Sequence, residues 1–275
     1  MNSIGYLAPR NVARYFSASI LMTFALFAFQ ACSNANFSGS TEQTSTGTPK
    51  DDHAVGEIQA CGSVLRRLTT GVKLIFVVDT SGSNTGFYGT DPNRQMRRGS
   101  IQAFLNDFGS KPNFSWGFVT FASDTATPLI SVNSLPVFSA RAADMQDALV
   151  AFASVPDDGN TPYHNALDAA LTAINNDVGS ATDKYIVVFM SDGMPYPEMS
   201  DQQLASDVTA IMRAKPNQVT FNAVYYGPGD PEASQRLARM VQLGNGVFLD
   251  TNANPNGKNF QITDVVSIPG QSCRR

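Results

Sequence analysis

Five oxygen-bearing side chains stand out by type and spacing. Asp79-Thr80-Ser81-Gly82-Ser83 sets a carboxylate and two hydroxyls on alternate residues, and Gly82 lets the chain turn tightly between the serines. Gly159-Asn160-Thr161-Pro162 adds a third hydroxyl, and Ser191-Asp192-Gly193 adds a second carboxylate. These clusters contain neither Cys nor His. Hard oxygen donors without sulfur or imidazole suit Mg2+, or equally Ca2+ or Mn2+, rather than zinc or copper. Singly, each cluster has a plainer reading: Asp79 as a helix cap, Thr161 as an N-cap before Pro162, and Ser191-Asp192-Gly193 as a turn.

The elements around them alternate between strand and helix. Residues 73–79 (KLIFVVD) form an apolar run ending in an acid, and 185–190 (YIVVFM) repeat the pattern, as buried parallel strands do. Residues 114–121 and 219–226 read as further strands, 128–132 as a short edge, and 246–250 as a last short strand. Ile101, Phe104, Leu105 and Phe108 fall on one helical face, and similar spacing marks helices at 145–152, 167–174, 204–212 and 237–241. Ser200-Asp201-Gln202-Gln203 is a capping box, and Asp230-Pro231 pairs an N-cap with proline in the first turn. Residues 260–268 carry no readable pattern. This order predicts an α/β fold: a doubly wound, mostly parallel open sheet with helices on both faces, Rossmann-like in layout. Ligands of such sheets bind beyond the carboxyl ends of the strands, where the three polar clusters fall.

At these residues the sequence resembles the von Willebrand factor A (vWA) domain over about residues 73–250. Asp79-x-Ser81-x-Ser83, Thr161 and Asp192 match all five positions of that family's metal-ion-dependent adhesion site (MIDAS). The resemblance implies that Ser81, Ser83 and Thr161 hold a divalent cation directly and that Asp79 and Asp192 act through water. It further implies a protein ligand whose Asp or Glu completes the metal's coordination. Residues 84–93 (NTGFYGTDPN) delay the first helix and set Phe87 and Tyr88 beside the expected metal, while Tyr163 and Tyr196 follow the other two clusters. These four aromatics are expected either to form a partner-binding rim or to pack the loops down. His53 and His164 have no metal-ligand company in the sequence and read as incidental.

The first 31 residues are different material. Arg10 and Arg14 precede an apolar stretch at 15–31, and Cys32 follows, the pattern of an export signal; an uncleaved anchor is the rival reading. Phe29-Gln30-Ala31-Cys32 resembles the lipobox of bacterial lipoproteins, with Phe29 in place of the usual Leu. That resemblance implies lipidation at Cys32 and a lipid anchor in the cell envelope, with Ser33 favouring the outer membrane. Residues 32–56, rich in Ser, Thr, Gly, Asn and Asp, read as a flexible tether, leaving 57–275 as the vWA-like domain. In an oxidising compartment Cys61 and Cys273 are expected either to form a disulfide or to stay as separate thiols.

A formal charge of -4 and the lack of any run of Lys or Arg argue against nucleic acid as a partner; Arg97-Arg98 reads as a solvated pair. Three functions remain: a metal-dependent binding module, an envelope scaffold with a purely structural metal, and a Mg2+-dependent phosphatase-like hydrolase. The hydrolase would need an acid two residues after Asp79, where Ser81 stands, and nucleophile-elbow and Walker motifs are absent from the sequence. The expectation is therefore a protein-binding module that is not an enzyme.

Overall fold

The computed structural model describes residues 70–86, 89–254 and 259–268. The expected signal (1–31), tether (32–56), lipidated Cys32, Cys61–Cys273 pair, and Phe87 and Tyr88 lie outside the described residues.

The main sheet has six strands: β1 (Val72–Asp79), β2 (Phe114–Ala122), β3 (Thr125–Pro128), then β6 (Lys184–Ser191), β7 (Val219–Tyr225) and β8 (Asn245–Asp250). Its spatial order is β3-β2-β1-β6-β7-β8, all pairings parallel except the antiparallel edge β2–β3. A separate small hairpin joins β4 (Ser131–Val132) to β5 (Leu135–Pro136), so the edge expected at 128–132 is divided between β3 and this hairpin. The chain winds outward from β1 through β2 to β3, returns across the sheet, and winds the other way from β6. The point of reversal, between β1 and β6, is where such sheets open a crevice at the strands' carboxyl ends.

The apolar runs are unbroken because both faces are covered. Leu74, Phe76 and Val78 pack with helices α1 (Arg97–Phe108) and α2 (Ala142–Phe152), whereas Ile75 and Val77 pack with α3 (Tyr163–Asn176), α4 (Asp201–Ala214) and α5 (Pro231–Leu243). The first face is aromatic: Phe104 meets Phe76 and Trp116 edge-on and stacks on Phe108 at 4.4 Å between centroids. Each such ring contributes roughly 1.5–3 kcal/mol through burial.

The caps read from sequence are made. The Ser200 hydroxyl accepts from the Gln203 amide while Gln203 reaches back to Ser200, and Asp230 accepts from the amides of Glu232 and Ala233. The segment that was unreadable, 260–268, contributes Phe260, Ile262, Val265 and Val266 to the α1–α2 face around a single 3-10 turn at Ile262–Asp264. Among the described residues no helix is long and apolar enough to cross a membrane.

Candidate metal centre

Asp79 is the last residue of β1 and Ser191 the last of β6. Both continue the rows that face α3–α5, and the register that opposes Val78 to Met190 makes them next neighbours. Ser191 Oγ donates to Asp79 Oδ2 at 2.5 Å, and the Ser81 amide donates to Asp79 Oδ1 at 2.7 Å, folding the loop back over the strand end. Ser81 Oγ and Ser83 Oγ lie 3.0 Å apart, and Ser83 Oγ donates to Asp192 Oδ1 at 2.8 Å. The other oxygen of Asp192, Oδ2, is buried and has no hydrogen-bond partner among the described residues.

Thr161 reaches this cluster on a loop tied to both others. Gly82 N donates to the Gly159 carbonyl, Asp158 N to the Thr80 carbonyl, and Tyr196 N to the Thr161 carbonyl, each at 3.0 Å. Gly159 sits at φ +67°, and a Cβ there would lie 2.1 Å from Ser123 Oγ, so only glycine lets the loop approach this closely. Pro162, not Thr161, occupies the cap position of α3, which leaves helix capping out of the account of Thr161. All five residues singled out by spacing therefore sit in one set of interlocked loops.

Asp79 is fully buried, and burial first and the charge of Asp192 second push its carboxyl up to about 7, against the opposing pull of hydrogen bonds from Ser191 and Ser81. Two carboxylates with no ion-pair partner among the described residues, one with an oxygen unpartnered there, make a donor set suited to a cation. The guanidiniums of Arg94 and Arg97 are committed to Asp91 and Asp157. Among the described residues no cluster of three or more His, Cys, Asp or Glu side chains forms, so hydroxyls must supply the remaining donors. This donor set fits a hard divalent cation held by Ser81, Ser83 and Thr161, with Asp79 and Asp192 balancing its charge.

The aromatics separate. Tyr196 is 62% exposed, as a rim residue must be. Tyr163 is 1% exposed, packed edge-on against Phe121 and Phe189 with its hydroxyl donated to the Gly193 carbonyl at 2.7 Å. Its ring is packed inside and its hydroxyl holds a loop, which corrects its place in the expected rim. Between α3 and the loop entering α4 lies a groove of about 350 Å3 lined by Pro162, His164, Pro197, Glu198 and Asp207. His164 is not wholly incidental: its Nδ1 lies 2.8 Å from Asp207, which raises its pKa.

Two contributors were missed. Ser191 read as part of a turn, yet it anchors Asp79; its place on the same face as Asp79 follows from strand parity once β1 and β6 are neighbours. Arg97 read as solvated, yet it is 0% exposed and bonded to the Asp79 carbonyl. The signal was its position: Arg97 opens α1 and lies on the row four before the buried Ile101.

The family model of the von Willebrand factor type A domain matches residues 73–264. No curated protein matches the sequence. Solved structures that are similar include a von Willebrand factor type A protein from Catenulispora acidiphila, at 13% identity and TM-score 0.49, covering 66% of this chain and 38% of that one. Another is proximal thread matrix protein 1 from the mussel byssus with a zinc-occupied MIDAS motif, at 17% identity and TM-score 0.49, covering 66% and 42%. A third is the vWF domain of the type V pili tip protein Mfa5 from Porphyromonas gingivalis, at 10% identity and TM-score 0.48, covering 67% and 91%. The chain spans 38% and 42% of the length of the first two.

Proposed function

The chain belongs to the von Willebrand factor type A domain family, and from that premise we propose that it is a protein-binding module whose divalent cation is completed by a carboxylate of its partner. The observation that carries this reading is the buried Asp79–Asp192 pair, with Asp192 Oδ2 unpartnered among the described residues and the Ser81 and Ser83 hydroxyls beside it. Neutral hydroxyl donors leave a cation only partly neutralised, so an anionic side chain from outside is favoured at its open position. Mg2+ is the proposed ion, with Ca2+ and Mn2+ as alternatives. Tyr196 and the groove beside Thr161 supply adjoining contact surface. In this reading the chain binds and does not catalyse.

The N-terminal pattern extends the proposal to an exported protein, lipidated at Cys32 and held at the outer membrane, with Cys61 and Cys273 joined in a disulfide. Palmitate labelling lost in Cys32→Ser would support the anchor, and unchanged labelling would remove it.

The site is tested by calorimetric titration of Mg2+, Ca2+ and Mn2+ into the wild type and Asp79→Ala. One-to-one binding confined to the wild type is expected. Selection of a displayed random dodecapeptide library in Mg2+, eluted with chelator, should then enrich Asp and Glu, and Thr161→Ala should abolish that enrichment without loss of stability. Peptides retained through chelation would refute the metal-bridged mode.

A further inference from the structure

Beneath the loops lies a buried ionic network that neither the fold nor the family accounts for. Every N–H of the Arg97 guanidinium is used. Nε donates to Asp91 Oδ2 at 3.1 Å. One terminal nitrogen donates to the Asp79 carbonyl at 2.7 Å and to Asp157 Oδ1 at 2.9 Å. The other donates to the Asp91 carbonyl at 2.9 Å and to Asp157 Oδ2 at 3.2 Å. The group is held between the rings of Phe152 and Tyr226, 5.8 and 5.9 Å from their centroids. Arg94 fastens the same loop from behind, bonding Asp157 Oδ2 at 3.2 Å and the carbonyls of Phe152 and Val155.

These contacts join three segments that meet at the candidate site. The Asp79 carbonyl belongs to the strand end from which Ser81 and Ser83 project. Asp157 begins the stretch whose next residues bond to Thr80 and Gly82 and which ends at Thr161. Asp91 lies in the 84–93 stretch that precedes α1 and accepts from the amides of Met96 and Arg97, so it also fixes the start of α1. A site whose donors all sit on loops needs a rigid support to hold them within a fraction of an ångström, and a planar, fully bonded guanidinium provides one where a flexible ammonium does not.

We propose that Arg97 is the positioning residue of the metal centre: through Asp157 and the Asp79 carbonyl it sets the Ser81–Ser83 loop and the Thr161 loop at the spacing that a divalent cation requires. The inference rests on the reading of Ser81, Ser83 and Thr161 as cation ligands. It assigns Arg97 no contact with the ion or the partner.

The test measures Mn2+ affinity by calorimetry and metal-free stability by urea unfolding, both on the full chain. The variants are Arg97→Lys, which keeps the charge and loses the fork, and Asp157→Asn, which keeps the shape and weakens the tie to the Thr161 loop. Val208→Ala, in the core of α4 away from the network, shows how far affinity falls from lost stability alone. Arg97→Lys is expected to weaken Mn2+ binding at least tenfold and Asp157→Asn several-fold, with Val208→Ala within twofold of wild type. If Arg97→Lys fails to fold, Asp157→Asn decides. Wild-type binding with the network variants no weaker than Val208→Ala would overturn the inference alone. A wild type that binds no divalent cation would overturn the metal reading and this inference with it.

Discussion

Two buried groups of charge flank the end of β1 and are built on opposite plans. On the α1–α2 side, Arg94 and Arg97 are matched by Asp91 and Asp157, and the Arg97 donors are all satisfied. On the α3–α5 side, Asp79 and Asp192 are both acids, and an oxygen of Asp192 has no partner among the described residues. The first group closes on itself and needs nothing from solvent. The second is held in place by Ser81, Ser83 and Ser191 with two carboxylates set against each other, and in the proposed reading a cation would complete it. Rigid support and an unsatisfied site are thus divided between the two faces of one strand end.

Breaking the closed group has the largest expected effect on stability. Arg97→Met leaves Asp91 and Asp157 with less compensation in a buried setting, and should destabilise the domain by about 3–5 kcal/mol in urea unfolding. The open group predicts a smaller effect that depends on pH. The Asp79 carboxyl is raised from 3.8 to about 7 in the folded, metal-free protein, so between those values the folded state binds more protons than the unfolded state. Stability contributed by protonated Asp79 is therefore present at low pH and is lost as pH rises from about 4 to 7, by at most about 4 kcal/mol. Asp79→Asn, whose amide can still accept from Ser81 N and donate to Ser191 Oγ, should flatten that part of the profile. A metal-free wild type and Asp79→Asn with parallel pH profiles would break the contrast between the groups.

How legible these two regions are in sequence differs for a physical reason. The open group is legible because Asp79, Ser81, Ser83 and Asp192 are polar residues at or directly after the ends of apolar strands, and Thr161 stands before Pro162 at the start of a helix. The sheet is legible for the same reason, because β1 and β6 are apolar on both faces. The closed group is not: Arg94, Arg97, Asp91 and Asp157 are ordinary surface residue types, and their pairing joins positions 60 and 63 residues apart in sequence. Arg97 next to Arg98 looks solvated, and only the approach of the 153–160 loop to the start of α1 buries it. Residues 260–268 are hard to read because their apolar side chains show a helical spacing over a single turn only, Ile262, Val265 and Val266, yet they pack on the α1–α2 face around one 3-10 turn.

The comparison sharpens when a divalent cation is added. Cation at one hundred times its dissociation constant should stabilise the wild type by about 2.7 kcal/mol, reversibly with chelator. Ser83→Ala removes the hydroxyl between Ser81 and Asp192 and should abolish that gain. An equal gain in both proteins would mean that the cation binds elsewhere.

The smallest effects concern the two tyrosines beside the open group, which look alike in sequence, each following a proline just after a ligand cluster. Their burial separates them. Tyr163→Phe removes a part-buried bond from a ring that is itself in the core to the half-buried Gly193 carbonyl, and should cost about 1 kcal/mol. Tyr196 is exposed, so Tyr196→Ala should change stability by less than about 0.5 kcal/mol and leave cation affinity unaltered, while weakening capture of the acidic peptides. If Tyr196→Ala instead costs as much stability as Tyr163→Phe, the exposed ring braces the loop after Asp192. The open group would then lack an aromatic contact among the described residues, and a partner would have to be held by its carboxylate and the groove alone.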